Sequence, residues 1–182
     1  MELRASFQIP TLIKALTDVV LPAVDPDNRL AQEQAQLIIG SLHLLAQRMP
    51  LQYRYDRFEL QSFVRLADDL STKAGSTPEL ASALEAMRAT AESGRNLLAL
   101  AGAEPEQIEA ANLALRESIG AFSQASSTLP DQDCRRAIES DVMAHAKDML
   151  LRERAWLVMQ GWEGADSGLP EIEKLIGNGE TK

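Results

Sequence analysis

The stretch TPELASALEAMRATAESGRNLLALA, Thr77 to Ala101, decides the fold class. Its apolar and small residues Leu80, Leu84, Met87, Ala91, Gly94, Leu98 and Ala101 recur at alternating spacings of four and three. On an α-helix those spacings share one face, whereas a strand would scatter them over both sides of its pleat. Thr77 suits the N-cap and Pro78 the first helical position, where its missing N–H costs nothing.

The pattern extends downstream. Gly102 breaks the helix and Pro105 opens a fifth, to about Ser126, with Ile108, Leu115, Ile119 and Phe122 facing inward. Both seams are rich in small residues, which predicts that the fourth and fifth helices pack closely as an antiparallel hairpin. A sixth helix begins near Pro130 and Asp131 and runs to about Gln160, with no glycine or proline between.

Upstream, a third helix spans about Gln52 to Lys73 with Leu60, Phe63, Leu66, Ala67 and Leu70 as its core face. Met49-Pro50 separates it from a second helix, because the residue before proline is pushed out of helical geometry. In that second helix, capped by Asp25 or Asp27, Ala31, Ala35, Ile38, Leu42, Leu45 and Met49 form one continuous stripe expected to be buried, with His43 pointing away. A first helix runs from Pro10, in its first turn, to Val20 or Val24.

These elements predict an all-α fold, a single-domain antiparallel bundle of about six helices over residues 1–162. Residues 163–182 are expected to be a flexible, partly disordered tail in which Leu169 to Ile176 could form two turns of helix and 178–182 a disordered end. Trp156 and Trp162 are expected to staple the end of the sixth helix to the bundle.

A formal charge of −9 argues against nucleic acid, whose binding depends on cations that neutralise phosphates. No apolar run reaches the ~18 to 20 residues that span a bilayer, so no membrane association is expected. The lone Cys134 allows no internal disulfide, and the chain opens without a secretory leader, which together suggest a cytoplasmic protein.

Two histidines in the whole chain exclude many multi-histidine metal sites, and no phosphate loop, paired CxxC or nucleophile elbow occurs. No catalytic residue, metal ligand or cofactor is assigned. The candidates are binding residues: Tyr53, Tyr55, Asp56, Glu59, His145 and Glu153. Glu153 falls by helical wheel beside Val142, Ala146 and Met149, and Asp56 and Glu59 fall beside Phe63. A buried carboxylate needs a cationic partner, a raised pKa or a wet gap. Either arginines neutralise these acids near the start of the third helix, or the third and sixth helices line a polar pocket with Tyr53 and Tyr55 at its mouth. Glu153 is expected to be at least half buried and paired with an arginine or His145. Asp141, four residues before His145, is expected to raise the imidazole pKa.

The function this favours is that of a non-enzymatic helical interaction protein, an adaptor or accessory subunit. It would act through an apolar helix face, on a protein partner or on another copy as a homodimer. The rival is a small-molecule or metal binding protein, or an unclassified enzyme, using the polar pocket between the third and sixth helices.

Overall fold

The computed structural model describes residues 4–75, 77–161, 163 and 167–177. It is all-α, with no strand among the described residues. The helices are α1 (Ala5–Ala15), α2 (Arg29–Arg48), α3 (Gln52–Ala74), α4 (Ala81–Ala99), α5 (Pro105–Ser126), α6 (Gln132–Leu157) and the single turn α7 (Ile172–Leu175). A π-helical turn, Leu16–Val20, and a further turn, Leu21–Ala23, continue α1. Short 3-10 turns at Met49–Leu51, Pro78–Leu80 and Val158–Gln160 precede α3 and α4 and follow α6. The chain divides into two compact units, one of Met1–Gln52 with Glu153–Ile172 and the other of Tyr53–Arg152 with Glu173–Lys182.

The unit beginning at Tyr53 contains the apolar core, and its periodic stripes are buried as the spacing predicts. Leu60, Phe63, Leu66, Ala67 and Leu70 of α3 meet Leu84, Met87 and Ala91 of α4, Ile108, Leu115, Ile119 and Phe122 of α5, and Ile138 of α6. The α4–α5 hairpin is the most extensive helix pairing. Gly94 explains its closeness: a Cβ there would stand 3.1 Å from Leu115 Cδ1 and 3.2 Å from Leu60 Cδ1. The start of α5 is closed by Gln107, whose Oε1 accepts the Glu104 N–H at 3.0 Å. Asp131 caps α6, accepting from the Asp133 and Cys134 N–H groups at 2.9 and 3.1 Å.

Thr77 departs from its expected role. Its hydroxyl donates backward to the Ala74 carbonyl at 2.7 Å, a tail-end bond on α3, and Pro78–Leu80 wind as a 3-10 turn before α4 begins.

In the other unit α1 packs against α2. Pro10 lies inside α1 rather than in its first turn, because the helix starts at Ala5. Lacking an N–H, Pro10 leaves the Ser6 carbonyl without its intrahelical donor. Asn28, not Asp25 or Asp27, caps α2: its Oδ1 accepts the Ala31 N–H at 3.1 Å. Asp25 instead accepts the Asp27 N–H at 2.9 Å and tightens the preceding turn.

The α2 stripe is the largest correction. Ala31, Ala35 and Leu42 are half-buried, but Ile38, Leu45 and Met49 are exposed. Within its unit α2 pairs with the α1 segment and with Val158–Gln160, and these contacts leave Ile38, Leu45 and Met49 exposed. His43 is exposed, as expected.

Arg48 anchors the unit's second segment. Its Nε donates to the Trp156 carbonyl at 2.9 Å and its Nη2 to the Ala155 carbonyl at 3.3 Å, while Cζ lies 5.6 Å from the centre of a Trp156 ring. Trp156 is thus tied to α2, whereas Trp162 and the end at 178–182 lie outside the described residues. The helix expected at Leu169 to Ile176 is a single turn, α7.

Candidate functional site

The start of α3 is fastened to the α4–α5 connection by two of its polar side chains. Tyr53 Oη donates to the Ala103 carbonyl at 2.7 Å, and Arg57 Nη2 donates to the Leu98 carbonyl at 2.7 Å. Leu98 lies in the last turn of α4, where carbonyls lack intrahelical partners, so Arg57 acts as a side-chain cap. One turn on, the Asp56 carbonyl accepts from Asn112 Nδ2 at 2.9 Å. Tyr55 and the Asp56 side chain are half-buried.

Glu59 is the first of the expected inward carboxylates. Its side chain is 13% exposed, and Arg116 of α5 supplies the cation, with Nη2 2.9 Å from Oε1. Burial pushes the Glu59 carboxyl above its ordinary range and the nearby Asp56 adds to the effect; Arg116 and Arg152 pull against both. Arg116 Cζ also stands 5.5 Å from the Phe63 ring centre, so Glu59, Phe63 and Arg116 form one packed group.

His145 reaches the same phenylalanine from α6. The ring centres of Phe63 and His145 are 4.9 Å apart, and Ser62 Oγ lies 3.4 Å from Nδ1. The expected rise in the imidazole pKa is reversed: burial lowers it, the Arg152 cation lowers it further, and only Asp148 opposes them. Asp141 does not hold the imidazole; its Oδ2 lies 4.0 Å from Lys73 Nζ. Arg152 is itself 6% exposed, with Cζ 5.2 Å from the Phe58 ring centre. Its Nη2 and His145 Nε2 are buried without a hydrogen-bond partner among the described residues.

Beside His145 a groove of about 270 Å³ opens between α3 and α6, lined by Ser62, Arg65, Asp69, Asp141, His145 and Asp148 among others. Of the six candidate residues His145 alone lines it. Tyr53 is engaged at Ala103 and Glu59 at Arg116. No group of three or more His, Cys, Asp or Glu side chains is placed to hold a metal ion among the described residues.

Glu153 is exposed, a second correction. Its wheel neighbours Val142, Ala146 and Met149 are themselves only half-buried, and the buried positions Ile138 and Arg152 of α6 run along a line about 60° to 100° round the helix from Glu153. Sequence reasoning passed over Arg152 and Asn112 as buried polar groups. Arg152 follows Met149 by three residues, a spacing that carried the signal.

The exposed side of α2 is the larger chemical feature. Leu30, Leu37, Ile38 and Leu45, with Met49 in the turn that follows, are 42% to 67% exposed and fall within about a third of the helix circumference. Alongside Leu37 a groove of about 400 Å³ is lined by Glu33, Gln36, Leu37, Gly40, Met159 and Gln160. Gly40 has no atom within 4 Å of where a Cβ would stand.

No family model, curated protein or solved structure matches the chain.

Proposed function

We propose that this protein is a non-enzymatic helical interaction protein, an adaptor or accessory subunit that engages a helical partner through the exposed apolar face of α2. The observation that carries the proposal is the row Leu30, Leu37, Ile38 and Leu45 on one side of a 20-residue helix, continued by Met49 just past its end. Leaving one such side chain in water is ordinary, but a contiguous row along a helix is the pattern of groove and helix-pair recognition. A photo-crosslinking residue at Leu37 or Leu45, compared with one at exposed Glu85 on α4, tests it in the native cell. Discrete protein adducts from α2 and none from Glu85 are expected; equal, diffuse labelling at both would end the proposal.

The groove beside His145 favours a second reading, a small-ligand site. Three aspartates, one arginine and a histidine on two helices suit a cationic or hydrogen-bonding ligand better than an anion. A thermal-shift screen of amines and divalent metals tests it, since selective binding to the folded state raises the transition temperature.

A further inference from the structure

We propose that His145 is a two-position side chain that gates the groove between α3 and α6 with pH. Uncharged, it lies inward on Phe63; protonated, it swings out into the groove towards Asp141 and Asp148.

The inward position suits only the neutral ring. Its contacts are the Phe63 ring, 4.9 Å between centres, and the Ser62 hydroxyl, 3.4 Å from Nδ1. A neutral imidazole has one donor and one acceptor, and a hydroxyl answers to either. Imidazolium has two donors, and Nε2 is buried here without an acceptor. Arg152, a buried cation close enough to act on the ring, has an Nη2 equally without one. Charging the ring in place therefore adds repulsion to an unmet donor.

The outward position supplies what the inward one lacks. Asp141 and Asp148 stand four residues before and three after His145, the two spacings that bring side chains together on a helix. Both line the groove of about 270 Å³ that His145 also lines, with Arg65 and Asp69 on its α3 side. Of the other charges nearby, Glu59 is engaged by Arg116, which lies against Phe63, and Lys73 stands 4.0 Å from Asp141. Neither gives the inward Nε2 an acceptor. Asp148 is exposed and Asp141 half-buried, so water screens their pull, and the swing is centred below pH 6.5. Acid thus fills part of the groove and adds a positive charge to it. The swing stands whether or not a ligand uses the groove.

Proton NMR of the full chain with isotope-labelled histidine tests the gate. Exposed His43 is the internal reference, and His145→Gln assigns the second signal. At neutral pH the His145 ring protons should carry a ring-current shift and cross-relax with Phe63. Both marks should vanish as the ring protonates, while the backbone spectrum stays that of the folded chain. In an Asp141→Asn, Asp148→Asn chain the midpoint of that loss should fall by about 0.5 in pH, as two exposed ion pairs imply. The proposal is overturned by a Phe63 contact that survives protonation, by one already absent at neutral pH, or by its loss only together with the folded spectrum. A midpoint indifferent to both asparagines overturns it as well.

Discussion

Arg116 Nη2 lies 2.9 Å from Glu59 Oε1, and burial nevertheless outweighs that contact, holding the carboxyl pKa above its ordinary value. The pair is asymmetric: Glu59 is largely covered whereas about half of the Arg116 side chain is exposed. Removing the exposed partner therefore strands the buried one. Arg116→Ala should cost about 1 to 3 kcal/mol at neutral pH by urea denaturation, and Glu59→Gln, which removes the buried charge instead, should change stability by less. Because the folded pKa is raised, the folded chain takes up this proton more readily than the unfolded one. The associated stability is present in acid and lost as pH rises through the folded pKa, so the Arg116→Ala deficit should shrink on acidification.

His145 titrates in the opposite sense. Burial and Arg152 lower its folded pKa beneath the ordinary 6.5, so the unfolded chain binds the proton more readily. Its contribution is complete above 6.5 and declines as pH falls below that value towards the folded pKa. His145→Gln keeps a polar group near Ser62 and cannot charge, so it should flatten the stability profile in that window. An unchanged slope in denaturation curves taken across it would place the acid sensitivity elsewhere.

At Gly94 two effects oppose. Alanine removes backbone freedom from the unfolded chain, a gain of about 0.5 to 1 kcal/mol, yet its Cβ would meet Leu115, Leu60 and Val64 methyls at 3.1 to 3.3 Å. Those contacts are side-chain ends that can shift by a few tenths of an ångström. Gly94→Ala should fall near neutral, and Gly94→Val should lose about 1 to 3 kcal/mol as the α4–α5 seam is forced apart. Thermal unfolding of both variants decides it, and a neutral valine would contradict the close seam.

Asn28→Ala should lose about 1 kcal/mol with its bond to the Ala31 N–H, whereas Asp27→Ala should be close to neutral. Hydrogen exchange at the first amides of α2 separates them: faster exchange in the Asn28 variant is expected, and faster exchange in the Asp27 variant alone would return the cap to the acid.

The α3, α4 and α5 stripes were legible because each is a long regular repeat whose inward positions meet other helices, so local periodicity and burial coincide. The α2 stripe has the same regularity, but periodicity says which residues share a side and nothing about whether another element covers it. Glu153 failed for a related reason. Its wheel position placed it with Val142, Ala146 and Met149, and those residues are only half-buried. The Glu59 carboxylate was correctly singled out as inward, while Arg116, 57 residues later, was invisible as its partner because no local spacing links them.

Arg48 grips carbonyls 107 and 108 residues further along the chain, and the whole of Tyr53–Arg152 lies between. During synthesis α1 and α2 emerge first and must wait, their closing segment still untranslated, while α3, α4, α5 and most of α6 are already available to one another. The later-made helices can therefore settle before the earlier ones are finished. A ribosome paused before residue 155 would hold a chain whose N-terminal hairpin has no Ala155 or Trp156 to grasp.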